Sequence, residues 1–129
     1  ASVTTYDIIK WDELTSPTHF KNSDFNKSLK QIIGDLSDDE FFQSNFDILN
    51  KADLIFMDAP KDNSFEYKMA QQFKKLKNKR KKILIIDDIF FVNMIDFWSK
   101  IKSPKLDASS FGHFSGTGVV DISKGFLYD

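Results

Sequence analysis

Aspartates stand where the apolar runs of this 129-residue chain end: Asp7, Asp35, Asp58 and the adjacent pair Asp87 and Asp88. An ionised carboxylate only accepts hydrogen bonds, and carboxylates gathered at one rim repel unless a cation or ligand hydroxyls compensate. Asp58, Asp87 and Asp88 are the subset suited to a hard divalent ion such as Mg²⁺, which prefers carboxylate and water oxygens. Taken singly, each aspartate is equally well a helix cap or a turn residue. Placed together on one sheet edge, they form a candidate site.

The elements that must position them follow from the pattern of apolar residues. "ILIIDD" (residues 83–88) has four aliphatic residues in a row, a strand covered on both faces, with the acidic pair at its carboxyl end. "SVTTYDII" (2–9) is a β-branched strand reaching Asp7, "LKQIIGDL" (29–36) a short strand leaving through Gly34 and Asp35, and "ADLIFMDAP" (52–60) a buried strand ending at Asp58. Between them, "SDDEFFQSNFDILN" begins with Ser37 and has Glu40 three residues on, the pattern of a capping box. "SFEYKMAQQFKKLKNK" (64–79) repeats Phe65, Met69, Phe73 and Leu76 at helical spacing, and "FFVNMIDFWSKI" (90–101) forms the next helix before Pro104. "KLDASSFGHFSGTGVVDIS" (105–123) carries two β-type segments about a glycine-rich turn, so "SSFGHF" and "TGVVDI" are expected to pair antiparallel. Strands alternating with helices predict a mostly parallel α/β sheet with helices on both faces and a C-terminal antiparallel β-hairpin, in one domain spanning 1–129.

Composition narrows the function classes. A hydrophobic fraction of 41% with 14 Phe supplies a core, and a formal charge of −1 gives no global pull toward nucleic acid or a membrane surface. The absence of Cys excludes disulfides, thiol nucleophiles and Cys-ligated zinc, and suits a cytoplasmic location. No apolar stretch has the length of a membrane span. The basic run "KKLKNKRKK" (74–82) is read as the cationic end of a helix and a solvated loop, so no nucleic-acid partner is expected. "GTG" (116–118) lacks the third glycine and the following helix of a dinucleotide loop, and is read as a tight turn. His19 and His113 stand alone and are read as structural or exposed. Trp98 is assigned to the core; Trp11 follows a strand end closely enough to line a pocket, with packing as its default role. A phosphoacceptor receiver domain is excluded by order, because the acidic pair follows the "LIFMDAP" strand instead of preceding it.

In order, these segments resemble the class I S-adenosylmethionine-dependent methyltransferases from their second strand onward, a Rossmann-like family whose sheet runs 3-2-1-4-5-7-6 with strand seven antiparallel. "TTYDI" looks like the second strand, which implies that Asp7 binds the cofactor ribose, and "IIGDL" like the third-strand motif, which places Asp35 and Leu36 at the adenine. "LIFMDAPK" and "ILIIDD" are similar to strands four and five of the metal-dependent O-methyltransferases. That resemblance implies a Mg²⁺ ion on Asp58, Asp87 and Asp88, Lys61 as general base, and a small hydroxylated acceptor.

The family's first strand and its glycine-rich cofactor loop have no counterpart in this sequence. That strand lies between strands two and four, so two outcomes are expected: "SVTTYDI" and "ADLIFMD" close up and pair directly, which is favoured, or a second copy fills the gap as a homodimer. Two functions stay open. One is a methyltransferase acting on a hydroxyl. The other is a non-catalytic Rossmann-like module that binds a partner or small ligand through the same rim.

Overall fold

A computed structural model describes residues 1–14, 19–58, 60–77 and 80–129. It contains six strands, β1 (Val3–Asp7), β2 (Leu29–Ile33), β3 (Leu54–Met57), β4 (Ile83–Asp87), β5 (Lys105–Asp107) and β6 (Thr117–Asp121). Four α-helices are interleaved with them: α1 (Asp39–Ser44), α2 (Phe46–Lys51), α3 (Ser64–Lys75) and α4 (Val92–Lys100). The fold is mixed α/β. Its strands form two sheets, a parallel pair β1-β2 and a four-stranded sheet in the order β3-β4-β6-β5. β3 and β4 are parallel, while β6 is antiparallel to both β4 and β5.

Several helix and strand ends differ from the sequence reading for local reasons. Ser37 does not cap α1: its N–H is taken by Asp35 Oδ1 at 2.8 Å, so the chain turns there and Asp38 becomes the cap, accepting from Phe41 N. α3 stops at Lys75, where Leu76 turns extended and is buried; the rest of the expected helix runs into Asn78 and Lys79, outside the described residues. "SSFGHF" is not a strand. Asp107 accepts from Ser109 N and folds that segment into a 3₁₀ turn, leaving Lys105–Asp107 as the strand beside β6. Thr15–Thr18, within the loop broken by Pro17, lies outside the described residues.

The core sits on one face of the four-stranded sheet. Register and alternation place Met57, Leu84, Ile86 and Val120 on that face, all buried, with Met69, Ala70 and Phe73 of α3 and Met94 and Phe97 of α4 in the same cluster. Trp98 comes so close to Gly118 that a Cβ there would lie 2.5 Å from Trp98 Cζ3. The opposite face carries a cross-sheet row of Phe56, Ile85, Val119 and Leu106, with Phe56 58% and Leu106 61% exposed. Helices therefore do not cover both faces here, contrary to expectation, because α1 to α4 bury their apolar residues in the single cluster on the first face.

Direct pairing of "SVTTYDI" with "ADLIFMD" is also overturned. Among the described residues, β1 bonds only β2, and β3 only β4, so each keeps one open edge. β1 is instead tied to the body through Tyr6, whose ring meets Phe41 edge-on and whose hydroxyl donates to Asn45 Oδ1 at 3.4 Å.

The basic run is not wholly solvated. Lys82 is 1% exposed, and its Nζ donates to the carbonyls of Leu49, Asn50 and Ala52 at the end of α2. A helix end leaves such carbonyls unpaired and partially negative, so a buried ammonium is stable there.

Candidate functional site

The carboxyl ends of β3 and β4 deliver Asp58 and the Asp87–Asp88 pair to one place. Asp87 closes β4 opposite Thr117. Asp88 leaves the strand with φ 58°, a left-handed conformation that aspartate tolerates better than most residues, and this turns its carboxylate aside from the strand axis. The segment before β6 is then clamped against the β4 exit. Ile89 N donates to Gly116 O at 3.2 Å and Phe90 N to Ser115 O at 2.8 Å. Gly116 makes the corner with φ +91°, and its N–H bonds His113 O at 3.0 Å. These backbone bonds bring His113 and Ser115 onto the acidic pair.

Lys61 lies between two of the carboxylates. Its Nζ is 2.8 Å from Asp58 Oδ1 and 2.8 Å from Asp88 Oδ2, and Asn93 Nδ2 at the start of α4 holds its carbonyl at 2.6 Å. On the far side, Ser115 Oγ donates to Asp88 Oδ1 and contacts His113 Nδ1 at 2.6 Å. A hydroxyl has one proton. With that proton on Asp88, the contact to His113 is satisfied when Nδ1 carries its own proton and donates to Oγ. A hydrogen-bonded chain thus runs His113, Ser115, Asp88, Lys61, Asp58.

Electrostatics follow from that chain. Hydrogen bonds from Lys61 and then Ser115 hold the Asp88 carboxyl below the usual carboxylate range. Partial burial pulls the Lys61 ammonium down, but hydrogen bonds and charge from Asp58 and Asp88 outweigh it and raise its pKa above that of ordinary lysine. As placed, Lys61 is a counter-ion. A general base needs the opposite shift, so the role implied for Lys61 requires another cation to relieve it of the carboxylates.

Among the described residues, Asp87, Asp88 and His113 offer ligand atoms that all lie within 4.8 Å of one another. His113 Nδ1 is 3.4 Å from Asp88 Oδ1 and 3.8 Å from Asp87 Oδ1. Asp58 is not in this group; it sits on the other side of Lys61. His113 and Ser115 were not legible as site residues, since a lone histidine in a glycine-rich loop carries no spacing signal.

The remaining sequence candidates lie on the β1-β2 sheet. Asp7 ends β1 and Asp35 lies just past β2, and the exits of these parallel strands are joined by Gly34 N donating to Asp7 O at 2.8 Å. Each carboxylate is partly engaged in its own turn: Asp7 Oδ1 accepts from Ile9 N at 3.1 Å and Asp35 Oδ1 from Ser37 N at 2.8 Å. Leu36 is packed against the core. Trp11 stacks on Phe25 at 5.1 Å, which makes it a packing residue.

Phe111 and Phe114, on either side of His113 in the chain, are 90% and 95% exposed, and the Phe114 ring lies 5.3 Å from that of His113. No family model, curated protein or solved structure matches the chain.

Proposed function

We propose that the chain is the metal-and-acceptor part of an S-adenosylmethionine-dependent methyltransferase acting on a substrate hydroxyl. One observation carries this reading. The strand orders β2-β1 and β3-β4-β6-β5, in two separate sheets with β6 antiparallel, are consistent with the two sides of 3-2-1-4-5-7-6 about its absent first strand. In that frame the acidic pair stands at the carboxyl end of a parallel strand, the edge at which open α/β sheets bind ligands.

The residues fit the cofactor in part. Asp7 keeps one carboxylate oxygen outside its turn for ribose hydroxyls, and Asp35 and Leu36 stand at the neighbouring strand exit. No glycine-rich loop follows a described strand, so the methionine end has no cradle in this chain. When bound, the cofactor supplies an electrophilic methyl group. A divalent ion on Asp87 and Asp88 would lower the pKa of a bound hydroxyl. This chain's own contribution is to orient that hydroxyl at the β4 exit, between the acidic pair and the exposed Phe114 ring beside His113.

A second reading, a non-catalytic module that binds a ligand through the same rim, is favoured by the turn hydrogen bonds already held by Asp7 and Asp35. Calorimetry with S-adenosylmethionine and S-adenosylhomocysteine separates the two. Heat of binding that disappears in Asp7→Ala supports the enzyme; no binding by the chain, with or without added Mg²⁺, favours the module.

A further inference from the structure

We propose that Asp87, Asp88 and His113 form a site for a borderline transition dication of the Zn²⁺ class, with His113 as a ligand, in preference to Mg²⁺. The inference rests on the metal part of the reading above and is independent of methyl transfer.

Ligand chemistry is the first argument. Imidazole nitrogen suits zinc, cobalt and related ions, whereas Mg²⁺ is held by carboxylate and water oxygens and demands near-octahedral geometry. Spacing is the second. Bonds of about 2.1 Å put tetrahedral ligand atoms about 3.4 Å apart and adjacent octahedral ones about 3.0 Å apart, by geometry from the usual metal–ligand lengths. The His113–Asp88 separation of 3.4 Å meets the tetrahedral spacing, and the His113–Asp87 separation of 3.8 Å is nearer to it than to the octahedral one.

Charge is the third. Lys61 binds Asp58 and Asp88, so the three carboxylates Asp58, Asp87 and Asp88 set against this one ammonium leave two negative charges that a dication cancels. Lys61 binds the Oδ2 of Asp88 and leaves Oδ1 turned toward His113. It thereby acts as the outer partner that orients a ligating carboxylate. Ser115 Oγ, bonded to the same Asp88 oxygen and to His113 Nδ1, holds both side chains side by side before an ion arrives. Ligation by Nδ1 then releases its proton to solvent and its bond to Ser115, which keeps its own hydrogen bond to Asp88. His113 is half exposed, so the fourth position opens to water or substrate.

The test is a titration of the full chain with Zn²⁺, Co²⁺ and Mg²⁺, followed by calorimetry and, for Co²⁺, by visible absorption. The expected result is that Zn²⁺ binds more tightly than Mg²⁺ and that Co²⁺ gives the intense d–d bands of a tetrahedral ion. His113→Ala should weaken Zn²⁺ and Co²⁺ by at least about tenfold, the smallest loss seen even for outer partners, and leave Mg²⁺ binding unchanged. His19→Ala should change none of these. Weak octahedral Co²⁺ bands, Mg²⁺ binding as tightly as Zn²⁺, or Zn²⁺ affinity indifferent to His113 would each overturn the proposal. Circular dichroism of the variants establishes that they are folded. S-adenosylmethionine binding, measured separately, succeeds or fails without affecting this result.

Discussion

Lys61 Nζ meets Asp88 Oδ2 across 2.8 Å, joining the loop after β3 to the exit of β4 with both side chains about four-fifths buried. The pair acts within a pH window. Asp88 is depressed when folded, so its contribution is present above the ordinary carboxylate pKa and lost as pH falls through the folded value. Lys61 is raised, so its contribution is present below the ordinary lysine pKa and lost above the folded one. Lys61→Met should destabilise the metal-free chain by about 1 kcal/mol, the upper end for ion pairs near a surface. The loss should be flat from about pH 5 to pH 10 and shrink at the acid end. Urea unfolding at several pH values reads this directly, and a loss that persists unchanged at pH 2 would assign Lys61 a packing role instead.

The Lys82 ammonium sits on three carbonyls at the end of α2. Burial pushes its pKa down, offset in part by the negative charge of Asp53. Lys82→Met fills the same volume and takes a charged donor away from the carbonyls of Leu49, Asn50 and Ala52. A loss of about 3 kcal/mol is expected, the upper end for hydrogen bonds to a charged group. Lys81→Met, at an exposed neighbour, should change stability little. Equal effects of the two substitutions in thermal unfolding would show that the Lys82 contacts carry no net stability.

Gly116 turns the loop that carries His113 and Ser115. Its φ of +91° disfavours any side chain, and a Cβ would lie 2.7 Å from Phe90 Cδ2 and 2.8 Å from Ile89 Cγ1. Gly116→Val should therefore cost about 2 kcal/mol or more, since strain and overpacking add. Metal affinity should fall with it, because the clamp between residues 89–90 and 115–116 positions His113. A variant with unchanged melting temperature would contradict the turn described here.

What the sequence made legible, and what it hid, follows from the range of each interaction. The aliphatic run before Asp87 and Asp88 identified β4 because a strand with no internal charge has few alternatives. The acids at strand ends were legible for the same reason. His113, Ser115 and Lys82 were not, since each is defined by contacts with residues distant in the chain. Lys82 looks like any other member of its basic run, and only the arrival of the α2 carbonyls distinguishes it. Likewise, the apolar residues of "ADLIFMD" read as buried on both faces, although Leu54 and Phe56 are more than half exposed and Met57 is buried. Composition fixes how apolar a strand is, but the layers packed on it decide which face is covered.

Glu66 supplies a pH test away from the site. The backbone N–H groups at the start of α3 bond its carboxyl group, yet its Oε2 is buried with no partner among the described residues. Burial raises its pKa, so its contribution is full below the ordinary glutamate value and is lost as pH rises through the folded value. Glu66→Gln keeps a carbonyl for the helix N–H groups and removes the charge. Its melting temperature relative to wild type should rise between about pH 4 and pH 8, the span above the unperturbed carboxyl pKa. A difference independent of pH would mean that Glu66 is not desolvated.

Phe56 and Met57 are consecutive residues on opposite faces of β3, 58% and 6% exposed. Large-to-small changes cost stability where they remove burial or leave a cavity, and little where the side chain already meets water. Met57→Ala should cost about 2 to 4 kcal/mol, as core methionines do. Phe56→Thr, which keeps a strand-forming residue, should stay within about 0.5 kcal/mol of wild type, as surface substitutions do. The same contrast reports on the open edges of β1 and β3. Unpaired edges beside apolar residues template association, so the chain mass measured by light scattering is expected to rise with concentration. If a second copy covers this region, Phe56→Thr should weaken that association. Its unfolding midpoint should match that of wild type in dilute solution and fall below it in concentrated solution. A mass fixed at one chain, with Phe56→Thr neutral at every concentration, would count against the homodimer and leave Phe56 as solvent-facing surface.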